Sequence, residues 1–183
     1  MNDCRAAKLG LLLAGAVLAG CQSAGPKPPA AVPAVLAVPA NQTVSRVFRV
    51  HGVQIYDCKP SHDDPMHVDW TLRAPEAELR DAGGKLVGRH YAGPTWEALD
   101  GSKIIGEVVA RSDSPDPSAI PWLLLRVKSA TGQGLFSQTL SVQRLDTVGG
   151  KAPAEGCDQH AVGKEARVPY AADYFFYVVK PGG

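Results

Sequence analysis

Apolar and polar residues alternate along much of the chain after residue 44. The clearest stretch covers residues 67–74, in which Val68, Trp70, Leu72 and Ala74 share one face and polar residues share the other. A period of two predicts a strand with one buried face, because successive side chains of a strand point to opposite sides of the sheet. The same pattern predicts strands in residues 46–58, 79–91, 103–111, 122–129, 135–145 and 174–179, and within 79–91 it predicts a hairpin around residues 81–84.

These strands predict an all-β fold. No segment of ten or more residues after residue 44 has the 3.6-residue period of a helix. Loops rich in Pro, Gly and Asp cover residues 112–121 and 147–160. About eight or more short strands at this spacing are typical of a single antiparallel β-sandwich or small barrel. We expect that fold, with long Pro/Gly loops, over residues 44–183, and we expect the first strand to break near Gly52.

The N-terminus has the pattern of an export signal. Arg5 and Lys8 precede an apolar run over residues 9–19, which is too short to span a bilayer as a helix. The sequence LAGC at residues 18–21 resembles the lipobox of bacterial lipoproteins. The resemblance implies a signal peptide over residues 1–20 and acyl chains such as palmitate on Cys21. The alternative is an ordinary cleaved signal followed by an incidental cysteine.

Two or more acyl chains hold a protein stably on a membrane, whereas one does not. The residue after the cysteine is Gln22 rather than Asp, which by the same resemblance implies the periplasmic face of the outer membrane. Residues 21–43 are rich in Pro, Ala and Val, so we interpret them as the lipidated cysteine and an extended tether. We therefore predict a lipid-anchored protein of the cell envelope.

The charge of the exported chain excludes one class of partner. Without Arg5, Lys8 and Asp3 the chain carries 17 basic and 17 acidic side chains. A balanced surface has no basic patch for nucleic acid. We expect the chain to contact the membrane through its lipid and to bind a periplasmic protein, a small molecule or a glycan.

The remaining cysteines are Cys58 and Cys157. Two cysteines in an oxidising compartment are most simply a disulfide. Free buried thiols are one alternative, and a metal or nucleophilic site is another. No CxxC pair or zinc-ligand spacing is present in the sequence.

Ordered sequence blocks resemble a known family. They are GVQIYDC at 52–58, APEA at 74–77, HYAGPTWE at 90–97, DGS at 100–102, IPWLLL at 120–125, QRLDTVGG at 143–150, AP and GC within 152–157, and YAADYFFY at 170–177. Together they resemble the domain-of-unknown-function family 3455 of secreted bacterial and fungal proteins, over nearly all of residues 45–180. The resemblance implies a secreted β-rich domain. It implies no established activity, so no catalytic residues follow from it.

One cluster has the side chains of a ligand site: His90, Tyr91, Trp96, Glu97 and Asp100. Aromatic rings beside carboxylates suit a sugar or an aromatic ligand, and two carboxylates could also act as acid and base on a glycan. A structural alternative stays open. In it Trp96 is core, and Asp100 supplies the hydrogen bonds of a tight turn.

Two loops contain weaker candidates. His62 and His67 with neighbouring carboxylates could bind a metal, and Asp113 with Asp116 could bind calcium, although ordinary loop chemistry explains both. No phosphate loop, dinucleotide fingerprint or nucleophile elbow is present. We expect no cofactor and a binding module rather than an enzyme. The alternatives are a glycan-directed hydrolase that uses Glu97 or Asp100 and a purely structural surface protein.

Overall fold

A computed structural model describes residue 28 and residues 31–61, 64 and 66–182, and in these the chain is all-β as predicted. The eight strands are β1 (Gln42–Pro60), β2 (Val68–Arg80), β3 (Leu86–Tyr91), β4 (Thr95–Ala98), β5 (Lys103–Ser112), β6 (Trp122–Thr131), β7 (Ser141–Gly149) and β8 (Glu165–Val179), preceded by a 3₁₀ turn at Ala34–Leu36. Each strand pairs antiparallel with the next, and β8 pairs with β1, so that one continuous sheet closes into a barrel. The predicted signal peptide and Cys21 lie outside the described residues.

Several strand boundaries differ from the prediction. β1 runs through Gly52 without a break, so the predicted interruption is wrong. A Cβ atom at Gly52 would lie 2.2 Å from the carbonyl oxygen of Glu76, so glycine is needed here for close approach to β2 and not for a turn. β4 was not predicted, β7 begins later than residue 135, and β8 begins well before residue 174. β7 begins later because residues 135–140 belong to the connection that carries Phe136, and β8 begins earlier because residues 165–173 also pair with β1.

One end of the barrel is filled by aromatic side chains. The connection between β6 and β7 inserts Phe136 into the interior, where its ring lies 4.8 Å from that of Phe176, and Phe48 packs on both. Phe136, Phe176 and Trp96 are fully buried. We call this end the closed end. Close packing here leaves the opposite half of the interior, between the C-terminal part of β1 and the N-terminal part of β8, as the place where space remains.

A second apolar layer lies outside the barrel. Leu36 is fully buried against Trp122, Leu145, Phe175 and Tyr177. The Gln143 side-chain amide donates a hydrogen bond of 2.7 Å to the Leu36 carbonyl oxygen. This part of the predicted tether therefore packs on the folded body, which explains why residues 174–177 are buried on both faces of β8.

The Cys58–Cys157 disulfide is present, as predicted, with Cα atoms 5.4 Å apart. It joins the end of β1 to the long connection between β7 and β8. The Trp70 indole N–H donates a hydrogen bond of 3.0 Å to the Glu155 carbonyl oxygen in the same connection. The connection is thus fixed beside the open half of the barrel.

Candidate functional site

The hairpin of β3 and β4 separates the residues of the predicted ligand cluster. His90 pairs with Trp96 across the two strands, and both side chains point into the barrel. They are 3% and 0% exposed, and their rings stack with centroids 4.7 Å apart. Tyr91 and Glu97 are one residue further along their strands, so they point to the outside.

His90 is held in its neutral form. Its Nδ1–H donates a hydrogen bond of 2.8 Å to the Thr95 carbonyl oxygen, so the neutral ring carries a lone pair on Nε2. Burial, which disfavours the charged ring, lowers the pKa of His90 to about 3, and the charge of Arg144 acts in the same direction. The ring is therefore an uncharged hydrogen-bonding group at neutral pH.

On the outer surface, the Tyr91 hydroxyl donates a hydrogen bond of 2.8 Å to the Glu97 carboxylate. This hydrogen bond raises the pKa of Tyr91, with a smaller contribution from burial. The Arg89 guanidinium lies 3.7 Å from the same carboxylate. These residues border an outer groove of about 680 Å³, in which Arg167 also pairs with Glu76 at 2.8 Å. The charged groups of the outer groove thus largely neutralise one another.

Asp100 has a structural role at the closed end of the barrel. Its Oδ1 accepts hydrogen bonds from the Ser102 amide at 2.8 Å and the Ser102 hydroxyl at 2.6 Å, and its Oδ2 accepts one from the Leu135 amide at 2.7 Å. Ser102 Oγ in turn accepts from the Phe136 amide. These hydrogen bonds, with the Ser102 hydroxyl first, lower the pKa of Asp100. A carboxylate held ionised is suited to fixing the Phe136 loop and not to donating a proton.

Trp96 is thus part of the core, and Asp100 supplies the hydrogen bonds of a turn, as in the structural alternative. Glu97 and Asp100 have separate sets of partners. A glycosidase would need two carboxylates facing one bond. Glu97 accepts from Tyr91 on the outer face, whereas Asp100 accepts from Ser102 and Leu135 at the closed end, where these hydrogen bonds lower its pKa.

The largely apolar space inside the barrel lies in its open half, which we call the mouth cavity. Its volume is about 660 Å³. Strand order brings together residues that are far apart in sequence, because the cavity is bounded by the C-terminal parts of β1, β3 and β5, the N-terminal parts of β2, β4 and β6, and the middle of β7 and β8. The lining residues are Gln54, Tyr56, Trp70, Leu72, Pro75, His90, Pro94, Trp96, Val108, Arg111, Ile120, Pro121, Leu123, Leu125, Arg144 and Tyr174.

A small number of polar groups interrupt this apolar wall. Arg144 donates from Nε and Nη2 to the Pro121 carbonyl oxygen, at 3.1 and 2.8 Å. The Tyr56 hydroxyl donates to the Gly150 carbonyl oxygen at 2.6 Å. Gln54 is 2% exposed, and its Nε2 has no hydrogen-bond partner among the described residues. Burial raises the pKa of Tyr56 and of Tyr174, so both remain uncharged phenols.

Sequence reasoning found only His90 and Trp96 among these lining residues. The alternation in residues 67–74 placed Trp70 and Leu72 on one face, but that face was expected to be buried, and Leu72 is 51% exposed. Arg144 stands out in the sequence as a charged residue within the largely buried strand β7. The sequence does not show which way its side chain points, because β7 has buried residues on both faces.

The described residues of the two candidate metal sites do not form a cluster of metal ligands. His62 lies outside the described residues, and His67 Nε2 lies 2.9 Å from an Asp69 oxygen. Asp116 accepts hydrogen bonds from the Ser118 amide and hydroxyl, which is turn chemistry. Within the described ranges no group of three or more His, Cys, Asp or Glu side chains could hold a metal ion.

None of the helical structure in the described part of the chain is long and apolar enough to cross a membrane. No curated protein matches the chain. A family model described as "Protein of unknown function (DUF3455)" matches residues 39–178, which is about three quarters of the chain. The chain therefore belongs to the DUF3455 family.

Proposed function

We propose that this protein is an exported, lipid-anchored binding protein that holds a small and largely apolar molecule in the mouth cavity. The observation that carries the proposal is the cavity itself. A volume of about 660 Å³ is within the range of small-molecule sites, which are commonly apolar concavities with a few placed polar groups. Mouths of β-barrels are a frequent location for such sites.

The mouth cavity is a better candidate than the outer groove. Its wall combines the rings of Trp70, His90 and Tyr174 with aliphatic side chains. Binding there would remove exposed apolar surface at Leu72 and Val108, which are 51% and 52% exposed. Burial of apolar area stabilises a complex by about 25 cal/mol per Å² before the costs of association. In the outer groove, by contrast, the charged side chains of Glu76, Arg89, Glu97 and Arg167 already pair with one another.

Export and anchoring form the second part of the proposal. The Cys58–Cys157 disulfide supports export, because disulfides persist in oxidising compartments. Lipid on Cys21 would then keep the barrel at the envelope. In cells fed labelled palmitate, we expect label on the native chain and none on Cys21→Ser. A cytosolic, full-length chain that still begins with Met1 would contradict this part alone.

Ligand binding can be tested with the neutral apolar dye N-phenyl-1-naphthylamine, whose fluorescence rises in apolar surroundings. The full chain with Cys21→Ser is the common background, because it avoids lipid and detergent that would bind the dye themselves. We expect saturable binding with one site per chain. Adding Leu72→Arg should weaken binding at least tenfold, because a charged side chain would occupy the mouth cavity.

Leu99→Arg is the matched control. Leu99 is 65% exposed in the turn between β4 and β5, at the opposite end of the barrel. The same substitution there should leave dye binding unchanged. Absence of saturable binding in the background protein, or equal losses in Leu72→Arg and Leu99→Arg, would refute a site in the mouth cavity.

A further inference from the structure

We propose that the ligand of the mouth cavity is an amphiphilic organic acid, whose carboxylate pairs with Arg144 while its apolar body fills the rest of the cavity. This inference rests on the binding function proposed above and adds the chemical class of the ligand. Its starting point is the charge of the lining: two arginines, Arg111 and Arg144, and no Asp or Glu.

The register places both arginines in one row on the inner face of the barrel. Arg111 pairs with Leu123 across β5 and β6, and Leu123 pairs with Arg144 across β6 and β7. Adjacent strands are about 4.8 Å apart, so the two arginine backbones are on the order of 10 Å apart with Leu123 between them. The two guanidinium groups therefore flank the apolar side chain of Leu123 on the cavity wall.

Arg144 has capacity for a further partner. Its Nε and Nη2 both donate to a single carbonyl oxygen, that of Pro121, and its other hydrogen-bonding neighbour in the cavity is the uncharged Tyr174 hydroxyl. Arg144 also forms no ion pair with any described residue, in contrast to the surface arginines Arg49, Arg73, Arg126 and Arg167. A half-buried guanidinium without a counter-charge favours an anion, and carboxylates match its planar donors.

Gln54 provides an independent observation. Its side chain lines the same cavity, is 2% exposed, and has a donor, Nε2, with no partner in the described structure. Unpaired buried donors are rare in folded proteins, because each costs about 1–3 kcal/mol. A ligand oxygen would satisfy this donor. The two arginines and the Gln54 amide thus all favour an acceptor-rich, anionic group, whereas Trp70, Leu72 and Leu123 favour an alkyl or aromatic body.

The test compares decanoate with decanol, which have the same alkyl body and differ in the charged head. Each compound is titrated at pH 7.5 into the Cys21→Ser protein with N-phenyl-1-naphthylamine bound, and the loss of dye fluorescence measures displacement. We expect decanoate to displace the dye at a concentration at least tenfold lower than decanol. Adding Arg144→Gln should remove most of this preference while the affinity for the neutral dye stays within twofold.

Two further variants make the result specific. Arg126→Gln is the control, because Arg126 is on the outer face of β6 and pairs with Glu107; it should keep the tenfold preference. Arg144→Lys retains the positive charge but not the planar donors, so it should keep part of the preference for decanoate. If Arg144→Gln does not fold, a reduced preference in Arg144→Lys supports the pairing with Arg144 and an unchanged preference contradicts it. Equal displacement by decanoate and decanol, or a preference that survives Arg144→Gln, would overturn the inference while leaving the binding function in place. Failure of the dye to bind at all would instead overturn the binding function.

Discussion

The buried histidine of the barrel should make the stability of this protein depend on pH. His90 is 3% exposed, stacks on Trp96 and is uncharged in the folded chain. Burial lowers its pKa from the ordinary 6.5 to about 3. In the unfolded chain the ring returns to water and regains its ordinary pKa. Between these two values the unfolded state binds a proton that the folded state does not bind.

The sign and size of the effect follow from that difference. A depressed histidine pKa contributes stability that is fully present above pH 6.5 and declines as the pH falls toward 3. The free energy of unfolding should therefore fall by up to about 1.4 kcal/mol per pH unit in this range. Between pH 7 and pH 5, where carboxylates remain mostly ionised, the His90 contribution should fall by about 2 kcal/mol.

Urea denaturation at pH 7, 6 and 5 measures this change. His90→Asn is the informative variant, because the Asn amide can still donate to the Thr95 carbonyl oxygen and does not titrate. It should be less stable than the native chain at pH 7, yet about 2 kcal/mol of the loss between pH 7 and pH 5 should disappear. His51→Asn replaces an exposed histidine on β1 and leaves His90 in place, so it is the matched control. An unchanged pH dependence in His90→Asn would refute the assignment of a neutral, buried ring.

Two other predictions concern stability. The Cys58–Cys157 disulfide joins cysteines 99 residues apart, so replacing both with alanine should lower the free energy of unfolding by up to about 4.7 kcal/mol. A reducing agent should destabilise the native chain and leave the double variant unchanged. An equal effect of the reducing agent on both proteins would contradict this prediction. Leu36→Ala should lower the free energy of unfolding by about 2–5 kcal/mol in thermal or urea unfolding, because Leu36 is fully buried in the outer apolar layer. Val35→Ala is the control and should be nearly neutral, because Val35 is 57% exposed. Equal effects of the two substitutions would show that this segment does not pack as described.

The candidate site shows where sequence reasoning succeeded and where it failed. The sequence predicts a ligand cluster of His90, Tyr91, Trp96, Glu97 and Asp100, and of these His90 and Trp96 border the mouth cavity. Tyr91 and Glu97 point to the other side of the sheet because side chains alternate along a strand. Arg144 and Gln54 were not identified, because their importance depends on which groups lie opposite them across the barrel.

The sequence by itself determined the local properties of this protein: the β-strand periodicity, the absence of long helices after residue 44, the family blocks and the even pair of cysteines that forms the disulfide. These properties are readable because each depends on neighbouring residues or on composition. Only the tertiary structure decided that β8 returns to pair with β1, that Phe136 fills one end, and that a cavity remains at the other, lined by an Arg144 that has no carboxylate partner among the described residues. Those features are contacts between residues far apart in the chain, and their energies depend on register and packing density, which a linear pattern does not specify.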